Sequence, residues 1–157
     1  MVRTSARAVF VDTSVFCNLL AVPGRDQDRA VVTAEFRELV EAEVPMLLPV
    51  TTVVETGNFI AQSGGDRRTT AERFVDTLRK VADGATPWIP HEIDWNSRLI
   101  SELVGGADES LLDRLSRGMG TGDSLILTER RIYCRRMNWQ VDDVGIWTRD
   151  TQLGAYG

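Results

Sequence analysis

The stretch "VFVDTSVF", residues 9–16, sets Val9, Phe10 and Val11 directly before Asp12, Thr13 and Ser14. A short unbroken apolar run that ends on polar residues reads as a strand buried on both faces, here over residues 8–12. Such a strand needs helices above and below it. An acid at its tip stands where open parallel sheets take their ligands, beyond the carboxyl ends of the strands.

Three further short apolar runs supply strand partners: "MLLPV" (46–50), "TPWIP" (86–90) and "VGIW" (144–147). The two prolines of "TPWIP" make that strand short or peripheral. Helices are expected between them. One covers Asp28 to Glu43, with Val32, Phe36, Leu39 and Val40 on one face, and another runs from Thr51 and Thr52 to about Gln62. A third starts at the capping pattern Thr69-x-x-Glu72 and turns Ala71, Phe74, Val75, Leu78 and Val81 inward. Asp94 reads as the cap of a helix bearing Leu99, Ile100, Leu103 and Val104. A shorter helix follows with Leu111, Leu112 and Leu115, and a long one from Asp123 to about Asn138. Strands alternating with helices predict right-handed β-α-β crossovers. The expected class is α/β, three layers in the order α/β/α around a mostly parallel sheet, in one domain over residues 1–157.

The composition, 43% hydrophobic and 26% charged, is that of an ordinary globule. No apolar run approaches the roughly 20 residues of a membrane span. The opening "MVRTSARAVF" runs into the first strand without the apolar core of a secretory signal, so a cytoplasmic location is expected. Cys17 and Cys134 are far apart and read as buried thiols in a reducing compartment. A net charge of −5 argues against a simple basic surface for nucleic acid. Acids gathered around a divalent cation would make that formal charge misleading.

Four acids fall at one kind of place. Asp12 ends the first strand, Glu55 follows the second, Asp123 opens a helix after the glycine-rich "RGMGTGD", and Asp150 lies three residues past Trp147. Each has an ordinary explanation: a helix cap for Asp12 and Asp123, a Thr52-x-x-Glu55 capping box for Glu55, a turn for Asp150. None explains why all four share one sheet edge. Crowded carboxylates resist ionisation unless a cation compensates them, and hard oxygen ligands suit Mg2+ or Mn2+. The single histidine, His91, reads as a surface or strand-end residue beside Pro90, which disfavours zinc sites and histidine-based serine chemistry.

Together "VFVDTSVF" (9–16), "TTVVETGNF" (51–59), "GTGDSLIL" (120–127) and "IWTRD" (146–150) resemble the four acidic motifs of the PIN-domain ribonucleases, and among these the VapC-type toxins of bacterial toxin–antitoxin pairs. The likeness runs from residue 8 to residue 150. It implies Asp12, Glu55, Asp123 and Asp150 as catalytic acids, with Asp12, Asp123 and Asp150 as ligands of Mg2+ or Mn2+. It implies Ser14 and Thr148 as polar neighbours of the metal. It further implies RNA hydrolysis by activated water leaving a 5′ phosphate, a homodimer, and an inhibitory antitoxin protein. The residues alone leave open attack by the ribose 2′-hydroxyl and the number of metal ions.

Arg67 and Arg68, and Arg130, Arg131, Arg135 and Arg136, are basic residues available to guide RNA. Arg131 and Arg135 share a helix face, although a solvated surface is the ordinary reading of such arginines. A haloacid dehalogenase phosphatase would carry a second acid where Ser14 stands. A receiver domain needs a strand-end lysine, and the only lysine, Lys80, falls in a helix. A stand-alone PIN nuclease in RNA processing and a non-catalytic PIN-like scaffold stay open. Asp142 and Asp143, ahead of the last strand, are expected at the opposite sheet edge from Asp150.

Overall fold

The four apolar runs form one parallel sheet in the computed structural model, which describes residues 2–157. Strands β1 (Ala8–Val11), β2 (Met46–Leu48), β3 (Trp88–Pro90) and β4 (Val144–Trp147) stand in the order β3-β2-β1-β4. The register pairs Val9 with Met46, Val11 with Trp147, and Met46 with Trp88. Pro90 closes the edge strand β3, the position where a missing N–H costs least.

Among the described residues there are eight α-helices: α1 (Thr13–Leu19), α2 (Arg29–Glu41), α3 (Val50–Gln62), α4 (Arg67–Ala82), α5 (Ser97–Gly105), α6 (Leu111–Ser116), α7 (Thr121–Met137) and α8 (Thr151–Gly154). The strand pleat divides the core in two. Val9, Val11, Met46, Leu48 and Trp147 pack with α1–α4, whereas Ala8, Phe10, Leu47, Val144 and Ile146 pack with α7 and α8. Helices α5 and α6 lean on α7. The result is the three-layer α/β/α architecture.

Topology explains both the layering and the place of the site. The chain steps from β1 to β2 to β3 in one direction, then reverses to put β4 on the far side of β1. Right-handed crossovers in opposite directions must lie on opposite faces, so α1–α4 cover one side and α5–α7 the other. The reversal opens a crevice between β1 and β4, beyond their carboxyl ends, where ligands bind in folds of this kind.

Several expected helix starts shift, because a helix takes its phase from the side chains it must bury. Helix α3 begins at Val50 behind Pro49, so the Thr52–Glu55 capping box is absent. Thr52 is instead buried and donates its hydroxyl to the Val11 carbonyl at 2.8 Å. Asp66, not Thr69, caps α4, and Asn96, not Asp94, caps α5. Helix α7 opens at Thr121, which makes Asp123 its third residue and not its cap. Thr13 and Ser14 form the first turn of α1.

Val75, expected inward, and Val40, expected on the apolar face of its helix, are exposed, as are Ile100 and Val104. In α2 the buried positions are Val32, Leu39 and the acid Glu35, which accepts the Trp147 indole N–H at 2.7 Å. His91 sits at the end of β3 but is not on the surface: its Nδ1 lies 2.7 Å from Glu129 Oε2, and both side chains are 1% exposed. Cys17 and Cys134 are free and buried. Among the described residues, no helix is long and apolar enough to cross a membrane.

Candidate functional site

Asp12 leaves β1 at the crevice with its amide N–H donated to the Trp147 carbonyl at 3.0 Å, which fastens it to β4. Its side chain caps α1 and is buried. Oδ2 accepts from Ser14 Oγ at 2.6 Å, from Thr148 Oγ1 at 2.8 Å and from the Ser14 amide at 3.3 Å. The two hydroxyls are themselves oriented, since Ser14 Oγ accepts from the Arg149 amide and Thr148 Oγ1 from the Asp150 amide, each at 2.9 Å. Ser14 and Thr148 therefore hold one oxygen of Asp12 between the two strand ends. Among the described residues, no donor reaches the other oxygen, Oδ1.

Glu55 lies in the second turn of α3, where Oε2 accepts from Thr13 Oγ1 at 2.7 Å. Its Oε1 rests against Gly122, in the space that a Cβ would fill. A glycine one residue before Asp123 thus lets α3 and α7 bring their acids together. Asp150 caps α8, with Oδ1 accepting the amides of Gln152 (2.8 Å) and Leu153 (3.0 Å). Asp123 receives no hydrogen bond from the described residues. Burial, then the charges of Asp12, Asp150 and Glu55, push its carboxyl up from 3.8 to about 6.

The four acids line one cavity of about 320 Å3, together with Thr13, Ser14, Arg25, Asp28 and Arg149. Four separate chain segments thus deliver carboxylates to the β1/β4 crevice. A wider groove of about 520 Å3, lined by Arg98, Arg135 and Arg136 with Glu92 and Asp94, contains none of the four. Asp142 and Asp143 sit in a 3-10 turn (Val141–Asp143) at the amino end of β4, at the opposite edge of the sheet, as expected.

The donor chemistry fits Mg2+ or Mn2+: hard carboxylate and hydroxyl oxygens, with His91 absent from the lining. Cys17 contributes no thiolate, because burial raises its thiol to about 11. The acids ring the cavity without closing on one point. Among the described residues, no group of three or more His, Cys, Asp or Glu is arranged to hold a metal ion.

The arginines assigned to substrate binding point elsewhere. Arg131 donates to the Glu102 carbonyl at 3.2 Å, and Arg135 to both Glu102 carboxylate oxygens at 2.7 and 2.6 Å, which clamps α7 to α5. Arg130 is buried and donates to the Val144 carbonyl, Arg67 donates to the Ser63 carbonyl, and Arg68 pairs with Glu72. The cations that do line the acidic cavity are Arg25 and Arg149. Arg149 is marked by its place inside "TRD". Arg25 belongs to the loop between α1 and α2, where no pattern in the sequence distinguishes it.

The chain matches no protein-family model, no curated protein and no solved structure.

Proposed function

We propose that the chain is a Mg2+- or Mn2+-dependent endoribonuclease that hydrolyses RNA phosphodiester bonds. The observation that carries this reading is the convergence of Asp12, Glu55, Asp123 and Asp150 on one cavity at the reversal of the sheet. A divalent cation bound there supplies a Lewis acid for the phosphoryl oxygens and a bound water of lowered pKa. Asp12, Asp123 and Asp150 are the ligands in this reading. Asp12 offers Oδ1 because Ser14 and Thr148 occupy Oδ2. Asp150 offers Oδ2 because the α8 amides occupy Oδ1. Glu55, steadied by Thr13, orients the attacking water through Oε1 and takes its proton.

The acidic motifs, similar to those of PIN-domain ribonucleases, supply the RNA specificity of the proposal. The VapC-like reading adds a homodimeric toxin with a cognate antitoxin, tested by growth arrest on expression and by rescue with a co-expressed partner. A second reading, a non-catalytic PIN-like scaffold, is favoured by the spacing of the acids, which form no closed ligand group among the described residues. Sequencing RNA ends after incubation of the purified chain with Mg2+ separates the two. Internal cleavage leaving 5′ phosphates, lost in Asp123→Asn, supports the nuclease. Uncut RNA, or equal cutting by Asp123→Asn, overturns it.

A further inference from the structure

Arg25 stands out among the charged residues of the cavity. Its guanidinium carbon lies 3.3 Å from the ring centroid of Phe59, so close that the planar group must lie nearly flat on the ring. Both residues line the acidic cavity. Phe59 and two of the acids, Glu55 and Asp123, also line an adjoining cavity of about 410 Å3 that reaches Asn58, Gln62 and Gly120. The stacked pair therefore borders a cleft that continues past the acids. Among the described residues, no acceptor takes a hydrogen bond from the Arg25 side chain and no carboxylate pairs with it. Arg149, in the same cavity, is held by Asp28 at 3.2 Å and by Glu35 at 3.7 Å.

The loop that carries Arg25 is built and not loose. Buried Asn18 donates its side-chain N–H to the Ser14 carbonyl at 2.8 Å and accepts the Asp28 amide at 2.9 Å, so the loop is tied at its far end to the residue beside Asp12. Gly24, at φ +77°, makes the turn, and the Arg25 amide donates to the Val22 carbonyl at 2.9 Å. One exposed, oriented cation with its donor edge unused thus faces a cleft whose other main charges are carboxylates. A polyanion entering such a cleft needs a positive anchor beyond the metal. A guanidinium fork matches two phosphate oxygens.

Resting on the nuclease reading above, we infer that Arg25, held flat by Phe59, binds a phosphodiester of single-stranded RNA next to the one cleaved and so sets the register of the strand. Arg25 is a positioning residue in this scheme: it fixes the substrate and touches no reacting atom.

The test is equilibrium binding of a fluorescein-labelled random RNA of about 12 nucleotides, followed by anisotropy across a salt series in Mg2+. The full chain carries Asp123→Asn to stop cleavage, with and without Arg25→Ala. Loss of one phosphate contact weakens binding about tenfold and makes the slope of log K against log salt shallower by about 0.7. Arg25→Lys should keep the slope and lose part of the affinity, because the charge stays and the fork goes. A melting temperature unchanged by Arg25→Ala excludes a structural cause. If Arg25→Ala leaves the slope unaltered while the parent binds RNA, the phosphate contact is wrong and the nuclease reading survives. If the parent binds no RNA, both fall.

Discussion

Asp12, Glu55 and Asp150 each give one carboxylate oxygen to protein donors, whereas Asp123 has no such partner among the described residues. Between pH about 4 and about 6 its raised carboxyl binds more protons folded than unfolded, so the metal-free protein loses stability as pH rises through that window. Asp123→Asn removes this loss: in thermal melts with chelator, the variant should gain on the native chain as pH rises from 4 to 6, then hold a constant lead. Equal pH profiles would contradict the assignment. Glu55 takes no part in a cap, and Gln can still accept from Thr13. Glu55→Gln should therefore change stability by less than about 1 kcal/mol, the scale of a cap, yet lose cleavage. Gly122→Ala tests the same carboxylate from the other side. Elsewhere in a helix this change adds about 0.5–1 kcal/mol of stability, but here the new Cβ displaces Glu55 Oε1, so cleavage should fall with no rise in melting temperature. Asp12 caps α1 with one oxygen, as its ordinary explanation has it, and still lines the cavity; Asp150, expected in a turn, instead caps α8 with one oxygen and lines the cavity as well. That duality was legible in the residue types, but which oxygen remains available depended on Thr148 and Ser14 meeting across 134 residues.

The pairing of His91 with Glu129 joins the end of β3 to the middle of α7, the helix that carries Asp123. Phe10 and Tyr133 pack edge-on against the imidazole, with centroids 4.9 and 5.9 Å away. His91→Ala leaves the buried Glu129 side chain without its hydrogen-bond partner, and a cost of about 1–3 kcal/mol is expected in urea unfolding. A loss under about 1 kcal/mol would mean the pair is dispensable. No reading of apolar periodicity finds such a contact, because the period counts apolar residues, and Glu35, His91, Glu129 and Arg130 are buried polar ones. The same limit explains the shifted helix starts. Strands were legible as short apolar runs with abrupt polar ends. Helix caps are set by which neighbouring side chain reaches the first amides, as Asp66 and Asn96 do, and similar candidates stood two or three residues away. Arg131 and Arg135 share a face as their spacing demands, but the partner of that face is α5 and its Glu102.

Strand order, which no local pattern encodes, places the site. β1 is interior, the chain reverses beside it, and the acids that follow β1 and β4 become neighbours. Alternating strands and helices revealed the α/β class and the common edge of the acids. The crevice between β1 and β4 emerges only once β4 pairs with β1. Topology also separates acids that composition cannot: Asp142 and Asp143 precede β4 and Asp150 follows it, across roughly 10–13 Å of strand. Asp142→Asn combined with Asp143→Asn should leave single-turnover cleavage nearly unchanged, while Asp150→Asn slows it by at least about tenfold, or roughly 1.4 kcal/mol. The reverse ranking would place the active edge at the wrong end of the sheet. Everything proposed for this chain turns on a cation among those acids, and calorimetric titration of the full chain with Mn2+, beside Asp12→Asn, addresses it directly. Saturable binding that Asp12→Asn weakens by at least about tenfold is the predicted result; no saturable binding, or equal binding by the two proteins, would contradict it.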